Sequence, residues 1–98
     1  MYIICTYDVA EKRCVKVMKV LRKYMFHVQN SVFEGELTPS KFNELKVKLD
    51  KIINPDDAIL FYFVYENKKI KKDYLGRAPK SSNIIIWFST IPLFLLYE

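Results

Sequence analysis

The sequence predicts an α+β fold, one antiparallel sheet with two helices on a single face, and three observations predict it. Two continuous apolar runs, at 2–7 and 58–65, have the length and composition of buried strands. Two other stretches, 11–26 and 38–53, repeat apolar residues at helical spacing. Between them lies 28–37, a strand-like segment with a turn or bulge expected near Asn30. With that segment split in two, the order becomes β-α-β-β-α-β, the ferredoxin-like arrangement.

Taken in order, Tyr2 to Tyr7 is uninterrupted by charge and reads as a strand buried on both faces. In the helix that follows, Cys14, Val17, Met18, Leu21, Tyr24 and Met25 fall within one sector of roughly 120°. Lys12, Lys16, Lys19 and Lys23 fall within roughly 60° of one another on the opposite side. Thr38-Pro39 is a strong start for the second helix, with Thr as N-cap and Pro at the first helical position. Phe42, Leu45, Leu49, Ile52 and Ile53 mark its buried face, and Asn54-Pro55-Asp56-Asp57 stops it. Ala58 to Tyr65 is a central strand. Ile70 to Leu75 reads as a short edge strand guarded by lysines.

Ninety-eight residues make one domain, expected over 1–83. Half of the chain is apolar and 15% aromatic, which excludes a disordered polymer. The tail, 84–98, carries no charge from Ile84 to Tyr97 and is too short for a helix spanning a bilayer, which needs about 20 residues. A strand at 84–88 that pairs with a partner subunit is the expectation there. Cys5 and Cys14 sit at apolar positions without a partner at metal-ligand spacing, as buried thiols in a reducing cytoplasm would. The N-terminus runs straight into a strand, so no signal peptide is expected.

The net charge of +5 favours an anionic partner. From Glu11 to His27 there are six cations and one acid, an excess equal to that of the whole chain. Like charges at this spacing repel, so the stripe is either a solvated face or a surface for nucleic-acid phosphates. Lys68, Lys69, Lys71 and Lys72, with Arg77 and Lys80 beyond, read the same way. Asp8 closes the first strand, where a carboxylate is well placed to hold Mg²⁺, a hard cation that takes oxygen ligands. Asp8-Val9-Ala10-Glu11 also has the spacing of a capping box, so local pattern alone favours Asp8 as an N-cap. His27 reads as structural, Ser31 lacks a nucleophile's partners, and two glycines cannot build a phosphate loop.

Tyr7-Asp8, the basic first helix, Gln29-x-Ser31-Val32-Phe33-Glu34-Gly35 and the order of the remaining elements resemble the CRISPR-associated protein 2 family. The resemblance covers roughly residues 1–77, and the tail after Ser82 departs from it. It implies a homodimer whose sheets face each other. It implies a metal-dependent endonuclease acting on single-stranded RNA or, in some members, duplex DNA. It further implies a part in spacer acquisition beside an integrase subunit. By the same resemblance Asp8 is the metal-binding aspartate, with Mg²⁺ shared between the Asp8 carboxylates of two subunits. Ser31 and Phe33 match positions near it, and Arg13 a basic position on the nucleic-acid surface. Phe33 either stacks on a base or packs in the core.

Two other readings stand beside the nuclease. A single carboxylate with no second acid nearby suits a non-catalytic DNA-binding scaffold that bridges integrase dimers. A toxin-like RNA-cleaving relative would share the fold. A plain RNA-binding module fits less well, because Leu60-Phe61-Tyr62-Phe63 lacks the motif of RNA-recognition domains.

Overall fold

The structure, a computed structural model, describes residues 1–64 and 70–78. Seven elements follow in order: β1 (Tyr2–Asp8), α1 (Glu11–Leu21), β2 (Phe26–Gln29), β3 (Val32–Glu36), α2 (Pro39–Asp50), β4 (Ala58–Val64) and β5 (Ile70–Gly76). The strands form one antiparallel sheet in the order β2-β3-β1-β4-β5. The expected α+β, ferredoxin-like arrangement is therefore present, extended by the lysine-bearing edge strand β5. The partner-pairing strand expected at 84–88, and the tail at 84–98 as a whole, lie outside the described residues.

The sheet has two unlike sides. Alternation along β1 sends Ile3, Cys5 and Tyr7 toward the helices, where they join Val17, Leu21, Phe33, Leu45, Leu49, Ile59 and Phe61 in the main core. Phe42 meets Phe61 and Phe63 edge-on, with ring centroids 5.0 and 5.1 Å away. The opposite side carries a smaller apolar cluster of Tyr2, Ile4, Val32, Leu60, Tyr62 and Val64. Asp8 lies on that side by the same alternation, since it pairs with Ala58 two positions beyond Thr6 and Leu60.

The second helix follows its sequence signals closely. Thr38 Oγ1 accepts the Lys41 amide at 3.2 Å, and Pro39 occupies the first turn. The first helix is shorter than its periodicity suggests, ending at Leu21 rather than Phe26. The Tyr24 and Met25 amides both return to the Leu21 carbonyl, which closes the helix while Met25 stays buried. Met25 sits over Gly35, where a Cβ would stand 3.3 Å from the Met25 Cα, so glycine permits the close approach. Phe26 thus enters the sheet. Asn30 turns β2 into β3 with a φ of 40°, at the break expected there.

Candidate functional site

Asp8 ends β1 with a side chain that is 81% exposed. It is not an N-cap. Ala10 occupies that position with no side-chain cap bond, and α1 begins at Glu11. The capping reading of Asp8 is overturned because another carboxylate reaches the same place. Asp57, in the loop before β4, accepts the Ala10 amide at 3.0 Å and the Asn54 amide at 3.0 Å. Arg13 forks onto the same group, with Nε 2.6 Å from Oδ2 and Nη2 3.0 Å from Oδ1. The Arg13 hydrogen bonds, aided by the two amides and working against burial, hold the Asp57 carboxyl well below the usual carboxylate range.

This clamp corrects the expectation for Arg13. Its side chain is only 14% exposed and is committed to Asp57, so it is not part of the outward basic face. Lys12, Lys16, Lys19 and Lys23 do lie on the surface, and none of them has an ion-pair partner among the described residues. Asp57 is the residue that sequence reasoning missed. Its one signal is an acid directly ahead of an apolar strand, where solvent would be excluded.

Ser31 lies at the same end of the sheet as Asp8. Its carbonyl accepts the Tyr7 amide at 3.2 Å, one residue before the aspartate. Burial pushes the Tyr7 phenol up, and a hydrogen bond with the Ser31 side chain pulls it partly back. Phe33 is elsewhere. It is fully buried on the helix side, opposite Cys5, between Tyr7 at 6.2 Å and the His27 ring stacked at 4.7 Å. Of the two roles open to it in sequence, core packing is the one the structure has. His27 closes over it, tied by Nε2 to the Asn30 carbonyl at 2.6 Å.

One further residue meets Asp8. Arg77, just past β5, places Nη2 2.8 Å from Asp8 Oδ2. Its backbone is fixed by the Asp57 carbonyl, which accepts the Arg77 amide at 2.7 Å. Gly76 makes that approach possible. With φ at 77° and its Cα against the Asp57 carbonyl oxygen, it leaves no room for a Cβ. Asp57 thereby joins three segments around the aspartate: the β1–α1 loop, the start of β4 and the end of β5.

Among the described residues no group of three His, Cys, Asp or Glu side chains could cage a metal. What Asp8 offers is one solvent-facing carboxylate whose Oδ1 accepts no bond from a described residue. That donor fits Mg²⁺, which commonly keeps several waters and takes one or two carboxylates together with substrate phosphates. Both cysteines are free thiols. No helix among the described residues is long and apolar enough to cross a membrane.

A family profile described as CRISPR associated protein Cas2 matches residues 1–72. A Thermotoga maritima protein named CRISPR-associated endoribonuclease Cas2 is 44% identical over 77 residues, covering 78% of this chain and 88% of that one. A protein of the same name from Methanosarcina acetivorans is 46% identical over 88 residues, covering 87% of this chain and all of its own. Among solved structures, Streptococcus pyogenes Cas2 at pH 6.5 superposes with a TM-score of 0.63 at 39% identity, over 68% of this chain and 89% of that one. A second crystal structure, described as cas2, gives 0.58 at 33% identity, over 83% and 80%.

Proposed function

Since this chain belongs to the CRISPR-associated protein Cas2 family, we propose that it is a metal-dependent endoribonuclease of CRISPR defence that cuts single-stranded RNA at Asp8. The observation that carries the reading is the state of that carboxylate. It is exposed at a strand end and free of the capping duty its sequence context suggests. Asp57, by contrast, is buried and satisfied by protein donors.

In this reading Asp8 from each of two copies would hold one Mg²⁺. When bound, the ion polarises a phosphate and lowers the pKa of its own water. The homodimer of this reading would join through the Asp8 side of the sheet, which neither α1 nor α2 covers, although Ile4 and Tyr62 there are already buried within the chain. A two-fold axis through it would present the same residue twice. Lys12, Lys16, Lys19 and Lys23 hold the backbone of the nucleic acid without reading bases. Ser31 fixes the strand end that carries Asp8 through its bond to the Tyr7 amide, and acts by position.

A scaffold that bridges integrase dimers without cutting is the second reading. It is favoured by one specific observation, that the described residues hold no group of three His, Cys, Asp or Glu side chains able to cage a metal. The two part in a cleavage assay on labelled single-stranded RNA and duplex DNA, with Mg²⁺ or EDTA, comparing wild type with Asp8→Asn. Metal-dependent cutting that falls at least a hundredfold in the variant is expected of the nuclease. No cutting, or equal cutting by both proteins, supports the scaffold.

A further inference from the structure

The carboxylate assigned above to the cation already has a cation beside it. Arg77 Nη2 stands 2.8 Å from Asp8 Oδ2, and Asp8 has no other partner among the described residues. Both side chains reach solvent, at 55% and 81% exposure, so the pair is weak and screened by salt. Many such pairs are incidental, because two long side chains meet only for part of the time. This one differs in how its arginine is rooted. The Arg77 amide is held by the Asp57 carbonyl at 2.7 Å, and Gly76 lies against that same oxygen. Asp57 is itself locked by Arg13 and by the Ala10 and Asn54 amides. The backbone that launches Arg77 and the loop that follows Asp8 are therefore fixed to one buried residue.

We propose that Arg77 is the built-in counterion of Asp8, a positioning residue that holds the carboxylate while the site is free of metal and that a divalent cation must displace. The proposal rests on the reading of Asp8 as a metal ligand. The competition is direct: the guanidinium and the cation seek the same oxygen, and a positive charge at that distance opposes a second one. Because the pair is exposed, displacement is easy. The pairing energy measured for exposed ion pairs corresponds to about 1.4- to 5-fold in affinity. Arg77 thus lowers metal affinity without abolishing it, and keeps an exposed carboxylate oriented at the strand end until the cation arrives.

The test is Mn²⁺ binding, read from the free-ion signal by electron paramagnetic resonance, on wild type, Asp8→Asn, Arg77→Gln and Arg77→Lys at low salt. Arg77→Gln is expected to bind Mn²⁺ about 1.4- to 5-fold more tightly than wild type, and the gain is expected to shrink as salt rises. Arg77→Lys, which keeps the charge, is expected to stay within about twofold of wild type. Thermal melting of each variant checks that the fold is intact. Binding that is lost in Asp8→Asn but unchanged or weaker in Arg77→Gln overturns this proposal alone. Equal tightening in Arg77→Lys and Arg77→Gln also overturns it, because charge competition would then not be the cause. Equal binding by wild type and Asp8→Asn overturns the metal reading itself.

Discussion

Replacing Asp57 by alanine should destabilise this domain more than any change at Asp8. The carboxylate is 4% exposed, and its loss strands the Arg13 guanidinium, itself 14% exposed, without a counter-charge. It also leaves the Ala10 and Asn54 amides without their acceptor. Removing one partner of a buried ion pair costs about 3–5 kcal/mol. At about 4–8 °C per kcal/mol for a domain of this size, the melting temperature should fall by at least about 12 °C. Asp57→Asn keeps one acceptor oxygen and the shape, and should cost roughly 1–3 kcal/mol. Urea unfolding at neutral pH supplies both numbers. The acid limb adds a second check. Because Arg13 lowers the folded carboxyl below its ordinary value of 3.8, its stabilisation is complete above that value and drains away as pH falls further. Wild type should therefore lose stability below about pH 4 more steeply than Asp57→Asn. A loss under about 1 kcal/mol in Asp57→Ala, with parallel acid limbs, would refute the clamp.

Two other expectations concern residues that the sequence marked for nucleic acid. Changing Lys12, Lys16, Lys19 and Lys23 together to glutamine should weaken binding to single-stranded RNA and reduce the slope of log affinity against log salt by about 3. Fluorescence anisotropy across a salt series measures it, and an unchanged slope would leave the stripe a solvated face. Phe33→Leu should cost about 1–3 kcal/mol in urea unfolding, through lost contact with Tyr7 and His27, while KM for RNA stays within twofold. A large rise in KM at unchanged stability would mean that Phe33 touches the substrate after all.

The sequence made the fold legible because its signals are local and redundant. Uncharged runs marked β1 and β4, and the Thr38-Pro39 start with its helical spacing marked α2. The end of α1 is not legible in the sequence because Tyr24 and Met25 continue the helical stripe, although Met25 reaches the core from beyond the last turn, over Gly35. Asp8 was legible as a position but not as a state. Its capping-box spacing is a local signal, and a residue 49 positions later in the chain won the contest for the helix start. Arg13 and Phe33 were displaced for related reasons. A basic residue among lysines and an aromatic in a strand look alike in sequence whether they face water or a buried partner.

The arrangement divides two tasks that one acidic residue could not perform together. An aspartate that caps a helix has part of its acceptor capacity, and its orientation, committed to amides rather than to a metal or a phosphate. By assigning the buried, hydrogen-bonded role to Asp57, the fold leaves Asp8, among the described residues, with one weak contact to Arg77. The two acids are still linked, because Asp57 also anchors the backbone of Arg77. Damage to Asp57 should therefore reach the Asp8 site through lost rigidity of three segments, whereas a change at Asp8 should leave the fold nearly untouched. Stability and chemistry then separate by residue: an Asp8→Asn protein that melts like wild type, beside an Asp57→Asn protein that melts early, is the pattern this division of labour requires.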